Sequence, residues 1–85
     1  MIVFINKHKL SNSEVAFLHT LRVTDSIVLS GNGVLLTLNI EQFEFSPSVF
    51  ALSQDLESRG ITFSSTLTPV ELFELQQHHQ QWITM

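Results

Sequence analysis

The chain has 85 residues, a net charge of −4 and no cysteine. Its four lysines and arginines are scattered, so they cannot form the basic stripe that follows nucleic-acid phosphates, and direct autonomous nucleic-acid binding is not expected. Without cysteine the chain has no disulfide, no thiolate nucleophile and no zinc site built on thiolates.

The first predicted elements are a strand and a helix. The segment Met1–Ile5 is rich in β-branched and aromatic residues, which is typical of a buried strand. A polar loop, Asn6–Asn12, follows it. Ser11 and Glu14 have the spacing of a capping box and predict the start of a helix. The expected apolar stripe of this helix consists of Val15, Leu18 and Leu21, with Ala16 and Phe17 beside them.

A second strand and a sharp turn come next. Thr24 and Asp25 are expected to end the first helix, and Ser26–Leu29 predicts a strand. The segment Gly31–Gly33 predicts a turn. We expect Val34–Leu38 to be a short buried helix, with a strand as the alternative, because periodicity cannot separate the two at this length.

The middle of the chain combines a strand, a helix and a stop signal. Val49–Leu52 is an unbroken apolar run, typical of a strand buried on both faces. Ser53 is expected to cap the helix that follows, and Gly60 is expected to end it with a positive φ angle. Ile61–Ser64 then predicts a short fourth strand at an edge of the sheet.

The clearest helix start lies near the end of the chain. Thr68 is predicted as the cap, Pro69 as the first helical residue and Glu71 as the residue that completes the capping box. The buried side of this helix is expected to consist of Leu72, Phe73 and Leu75.

Strands that alternate with helices predict an α/β fold with right-handed crossovers. We expect one small three-layer α/β/α domain over residues 1–85, with a mainly parallel sheet of about four strands.

The composition also predicts association. Hydrophobic residues make up 44% of the chain and charged residues only 14%, against about 25% in an average domain. A domain of this size with such a balance is expected to cover part of its surface with a partner, and to form a homo-oligomer when isolated. A tightly packed monomer is the alternative.

The lengths of the apolar runs predict where in the cell the protein is found. None approaches the ~18 residues of a membrane span, and Met1–Ile5 is too short for the core of a signal peptide. We therefore expect a cytoplasmic protein that does not associate with membranes.

Two loops are predicted to meet at one edge of the sheet, because sites in parallel sheets lie outside the carboxyl ends of the strands. These loops follow the first and second strands and supply a candidate pocket rim of Lys7, His8, Lys9, Gly31, Asn32 and Gly33. The rim would suit an anion or a persulfide-bearing tail. The alternative is that both are ordinary surface connections.

Three aromatic residues are candidates for binding a partner. Phe43 and Phe45 lie in a segment without a regular pattern, where large aromatic side chains either pack under their own loop or anchor a partner. Trp82 either covers the core or lies at an interface.

No catalytic residue, metal site or cofactor is predicted. His78 and His79 are adjacent, so on a helix they point about 100° apart and cannot chelate one ion together. Among the paired carboxylates, Glu71 is explained by capping and Glu74 by a solvated helix face, while Asp55 and Glu57 are explained by a helix N-terminus. The chain has no nucleophile elbow, and its glycine turn lacks the third glycine of a dinucleotide loop.

Three features resemble the TusB/DsrH family of the DsrE/DsrF/DsrH-like sulfur-relay superfamily. A strand runs into Ala51-Leu52-x-x-Asp55-Leu56-x-x-Arg59-Gly60, the segment Gly31–Val34 resembles the family's turn, and a final helix, Val70–His79, precedes Trp82. The chain departs from the family in its first loop and in a shorter segment after Gly60.

The resemblance implies a non-catalytic subunit. Carriers of the superfamily hold sulfur as a cysteine persulfide, which this chain cannot do. It would instead complete a TusBCD-like complex with TusC-like and TusD-like subunits, which supports 2-thiolation of the wobble uridine in tRNA. The alternative is a stand-alone homodimeric or small-ligand-binding domain of the same fold without a tRNA role.

Overall fold

A computed structural model describes residues 1–85. The strands are β1 (Ile2–Ile5), β2 (Ser26–Leu29), β3 (Ser48–Leu52), β4 (Thr66–Leu67) and β5 (Trp82–Thr84). The α-helices are α1 (Asn12–Leu18), α2 (Ser53–Ser58) and α3 (Pro69–Gln77), and two 3-10 helices cover Gly31–Leu38 and Ile40–Phe43. None of the helices has the length and apolarity needed to cross a membrane.

The strands form one parallel sheet in the order β4-β3-β2-β1-β5. The predicted α/β class and parallel sheet are confirmed, but the sheet has five strands instead of about four. The prediction of a fourth strand at Ile61–Ser64 is wrong, because the residues that pair with β3 are Thr66–Leu67. The strand that contains Trp82 was not predicted. Both are short edge strands, defined by pairing with distant residues and not by a local pattern.

Alternation along the strands divides the core between the two faces of the sheet. We call the face under α1, α2 and the 3-10 helices the main face, and the face under α3 the α3 face. The main face holds a cluster of eleven buried residues: Val3, Ile5, Leu18, Leu21, Ile27, Leu29, Val34, Leu36, Ile40, Ala51 and Leu56. The α3 face holds a cluster of three: Ile2, Val28 and Leu67.

Helix α1 begins as predicted and ends early. The Ser11 side chain accepts a hydrogen bond from Glu14 N–H at 3.2 Å, and the Glu14 carboxylate accepts one from Ser11 N–H at 2.8 Å. The expectation that the helix continues to Thr24 is wrong, since it ends at Leu18. The Asp25 carboxylate accepts a hydrogen bond from Arg22 N–H at 2.7 Å and so stabilises a turn in place of a further helical turn.

The expected stripe of α1 is only partly buried. Leu18 and Leu21 belong to the main cluster, and Val15 is half-buried. Ala16 and Phe17 are exposed, because the short helix turns only a narrow side toward the sheet.

Helix α2 ends as predicted but begins differently. Ser53 is its first residue and makes no capping bond, because β3 runs into the helix without a connecting residue and Leu52 takes the cap position. Gly60 has φ +65°. Its N–H donates to the Glu57 carbonyl at 3.2 Å and the Ile61 N–H donates to the Leu56 carbonyl at 3.0 Å, which is the bonding pattern of a Schellman motif.

Helix α3 begins as predicted, but fewer of its residues are buried than expected. The capping box of Thr68 and Glu71 is present and Pro69 is the first helical residue. Leu72 packs partly buried against the α3-face cluster, as does Leu75. Phe73 was expected inside and is 61% exposed. The helix has no fully buried residue, because it crosses a face with only three buried side chains.

Candidate interaction surfaces

The first candidate surface lies where β1 and β2 end. The helix expected at Val34–Leu38 is part of the 3-10 helix Gly31–Leu38, which follows β2 after one residue. Gly33 lies so close to the end of β1 that a Cβ atom there would be 2.0 Å from the Ile5 carbonyl oxygen. The two loops predicted to share this edge are therefore in contact.

The cations of the predicted rim differ in their surroundings. Lys7 forms an ion pair with Glu14, and its ammonium hydrogen bond holds the pKa of that carboxyl below its usual value, helped by the Ser11 N–H. His8 and Lys9 are exposed. The free positive charge of the rim is consequently centred on Lys9.

The amides of the glycine turn have partners inside the chain. Gly31 N–H donates to Asp55 Oδ2 at 2.9 Å, and Gly33 N–H donates to the Ser30 carbonyl at 2.8 Å. Neither amide is free for an anion while these bonds hold. The contribution of Asp55 was not predicted, although its place just after the carboxyl end of β3 is a signal that could have shown it.

A second bond connects the same turn to α2. Arg59 Nη2 donates to Asn32 Oδ1 at 3.0 Å, and Arg59 Nη1 donates to the Asp55 carbonyl at 3.2 Å. The exposed Asn32 is thus held by the last turn of α2. Together with Gly31, these residues form a polar clamp between the glycine turn and the helix.

The second candidate surface is an aromatic cluster on the main face. The rings of Phe43 and Phe45 are stacked with centroids 5.1 Å apart. Phe45 also meets the edge of the His19 ring, again at 5.1 Å and with an interplanar angle of 61°. Both phenylalanines are half-buried against the main cluster, so they pack under their own segment and still present part of each ring. The contact with His19 was not predicted, because no local sequence pattern relates His19 to the two rings.

The third candidate, Trp82, lies elsewhere. It is 54% exposed in β5 and is in register with Ile2, so its side chain lies on the α3 face. Val70 and Phe73 of α3 are exposed on the same side of the sheet by 67% and 61%. The three aromatic residues singled out from the sequence do not form one patch.

A charged group that sequence reasoning missed joins the start of β1 to the end of α3. The Met1 amine lies 3.0 Å from Asp25 Oδ1 and 3.0 Å from His79 Nδ1. The Arg22 N–H and then the amine lower the pKa of Asp25. Burial and then the amine's charge lower the pKa of His79, against the opposing effect of Asp25.

A shallow depression of about 230 Å³ lies between α2 and the segment before β4. Leu56, Ile61 and Phe63 form its apolar side, and Ser53 and Glu57 are at its polar side. No group of three or more His, Asp or Glu side chains is placed to hold a metal ion. The arrangement offers contact surfaces, and none of its groups is a thiolate able to carry sulfur.

Comparison with known proteins identifies the family. A family model described as "DsrH like protein" matches residues 10–81. None of the curated proteins compared with the chain matches it. The solution NMR structure of protein Tm0979 from Thermotoga maritima superposes with a TM-score of 0.70 and 23% identity, covering 95% of this chain and 97% of that one. At this identity the likeness shows a shared fold.

Proposed function

This chain belongs to the DsrH-like family, and from that premise we propose that it is the non-carrier subunit of a TusBCD-like sulfur-relay complex. It completes the complex with TusC-like and TusD-like subunits in the cytoplasm and supports 2-thiolation of the wobble uridine in tRNA. It acts as a single DsrE/F/H-like domain over residues 1–85, without a cofactor and without chemistry of its own.

One observation supports this role above the others: a member of a sulfur-relay family contains no cysteine. Persulfide transfer needs a thiolate to accept the sulfur and release it. A subunit without one affects the relay through the partners that it holds and the shape that it gives to their sites.

The aromatic cluster is the surface that we propose for a sister subunit. Phe43 and Phe45 are preordered by their stacking, so little side-chain entropy is lost when a partner covers them. Half-buried aromatic residues that become fully buried often dominate the binding free energy of an interface. On the other side, Trp82 is a further candidate contact.

The rim at the carboxyl edge has a supporting role in this proposal. Lys9 is exposed in the loop after β1, which contacts the glycine turn at Gly33, and it places positive charge where a persulfide anion on a partner's arm would pass. His8 is exposed in the same loop. Lys7 contributes less because Glu14 neutralises it.

Sulfur loading separates a carrier from a non-carrier. We expect the chain to stay unlabelled after incubation with a cysteine desulfurase and ³⁵S-cysteine, while a cysteine-bearing sister subunit in the same reaction is labelled. Stable label on this chain contradicts the non-carrier role.

Co-purification tests the surface. The double variant Phe43→Ala/Phe45→Ala should lose at least about tenfold in affinity for the sister subunits, since each ring contributes about 1–2 kcal/mol or more. The matched control is Val70→Ala/Phe73→Ala, which removes exposed apolar groups on the other face. Circular dichroism of each isolated variant checks that it is folded. If both variants bind the sister subunits equally well, the interface does not lie at the aromatic cluster.

A further inference from the structure

The two edges of the sheet differ in their protection against another strand. At one edge β4 has two residues and is followed closely by Pro69, two features that blunt an edge. At the other edge β5 contains neither charge nor proline, and all three of its residues are exposed. The β5 edge therefore offers unpaired backbone donors and acceptors to a strand that fits it.

The bonds between β5 and β1 fix which groups point outward. Ile2 N–H donates to the Gln81 carbonyl at 2.9 Å, and Met85 N–H donates to the Phe4 carbonyl at 2.8 Å. Backbone polar groups alternate in direction along a strand, so Ile83, midway between Gln81 and Met85, also turns its polar groups toward β1.

Trp82 and Thr84 consequently turn their N–H and C=O groups away from the sheet. We propose that β5 pairs antiparallel with β5 of a second copy of this chain, about a two-fold axis at Ile83. In that register Trp82 of each copy lies opposite Thr84 of the other and exchanges both backbone hydrogen bonds with it. All outward-pointing polar groups of the strand are then paired, and one sheet runs through both copies.

The chemistry of β5 favours its own copy as the partner. In this two-fold pairing the residue on the axis faces the same residue of the other copy, so a charge at position 83 would face a like charge, and β5 has no charged residue. Trp82 meets Thr84 on the α3 face, and Ile83, in register with Val3, meets its counterpart on the main face. The pairing covers both Trp82 and Ile83, which are 54% and 37% exposed in the single chain.

This inference goes beyond the proposed function, because it concerns a second copy and not a sister subunit. It also uses the β5 edge, whereas the proposed sister contact rests on the aromatic cluster, and Trp82 is the one residue that both proposals include. Each can fail while the other stands.

The lack of cysteine permits a direct test by cross-linking. Ile83→Cys places the only thiol of the chain on the proposed axis, where opposed Cα atoms of a non-hydrogen-bonded pair lie about 4.5 Å apart, within disulfide range. The control is Val23→Cys, which has a 74% exposed side chain in the loop before β2. Under mild oxidation at micromolar concentration, Ile83→Cys should form the disulfide dimer at least about tenfold faster than the control. Equal rates overturn the proposal.

A second variant tests the hydrogen bonds without a new side-chain contact. Thr84→Pro removes an outward-pointing N–H and leaves the bonds between β5 and β1 intact. Sedimentation equilibrium should show the wild-type chain as a dimer and Thr84→Pro as a folded monomer. A wild-type chain that stays monomeric at high micromolar concentration, or a Thr84→Pro variant that dimerises equally well, overturns the proposal. If Thr84→Pro does not fold, the cross-linking rates and the wild-type mass decide.

Discussion

The two faces of the sheet obtain their stability in different ways. The main face buries a cluster of eleven residues under several helical segments, while the α3 face buries three residues under a single helix that has no fully buried residue. The same strands supply both faces, so the difference comes from what covers them. The main face holds most of the buried core, and the α3 face keeps Val70, Phe73 and Trp82 exposed.

This contrast shows where part of the apolar excess of the composition lies. An 85-residue domain has a marginal core, and here most of that core is on one side of the sheet. Of the seven exposed large apolar side chains, Val70, Phe73, Trp82 and Ile83 lie on α3 or in β5, and Phe17, Val23 and Leu38 lie elsewhere. We therefore expect substitutions on the two faces to differ in how much they lower the free energy of unfolding.

Gly33→Ala should damage the main face most. The new Cβ would lie 2.0 Å from the Ile5 carbonyl oxygen, and neither backbone segment can move without opening the main cluster. We expect a loss of about 3 kcal/mol or more in the free energy of unfolding, measured in urea. The control Gly60→Ala meets no atom within 4 Å and should lose only about 1 kcal/mol. Similar midpoints for the two variants contradict the close approach.

Truncations compare the two cores directly. Leu29→Ala removes a side chain that is 0% exposed in the main cluster, and it should cost about 3 kcal/mol. Leu75→Ala removes a half-buried side chain of α3 and should cost about 1 kcal/mol, because solvent already reaches the site. Equal losses in the same urea titration would show that the α3 face is as well packed as the main face.

A backbone effect at the end of α2 should be smaller. Gly60 has φ +65°, so Gly60→Val should cost about 1 kcal/mol or more, since a β-branched residue is strained there. Gly60→Asn is the matched control, because asparagine tolerates this region and should retain most of the stability. The comparison fails if valine and asparagine give the same denaturation midpoint.

A smaller, pH-dependent effect on stability is expected from His79, which follows α3. Burial and the Met1 amine lower the pKa of His79 in the folded chain, so the unfolded chain binds a proton first as pH falls. The stabilisation is complete above the unfolded value of about 6.5 and is lost progressively below it. His79→Gln should reduce the change in thermal midpoint between about pH 7 and pH 5 relative to wild type. A wild-type midpoint that rises as pH falls through this range would contradict the assignment.

Local chemistry made part of the fold predictable. The capping boxes at Ser11 and Thr68 and the stop at Gly60 depend on residues within a few positions, and all three are confirmed. The strands that became β1, β2 and β3 are apolar runs in the middle of the sheet, which leaves a clear pattern in the sequence. β1 and β2 are buried on both faces, whereas only Ala51 of β3 is fully buried.

The features that were missed depend on distant residues. β4 and β5 exist because they pair with β3 and β1, and neither has a pattern of its own. Phe73 is exposed because the α3 face has only three buried side chains for the helix to pack against. The sequence of α3 alone does not show how large that face is. The same holds for the candidate surfaces: the meeting of two loops at one edge followed from parallel topology, but the bond from Gly31 to Asp55 and the contact of Phe45 with His19 did not.

The level of 2-thiolated tRNA in a deletion strain tests whether this chain supports sulfur relay through contacts alone. We expect deletion of the gene to abolish wobble-uridine 2-thiolation and the wild-type gene to restore it. Phe43→Ala/Phe45→Ala should fail to restore it while accumulating as folded protein, and Val70→Ala/Phe73→Ala should succeed. Normal thiolation in the deletion strain would contradict the sulfur-relay role.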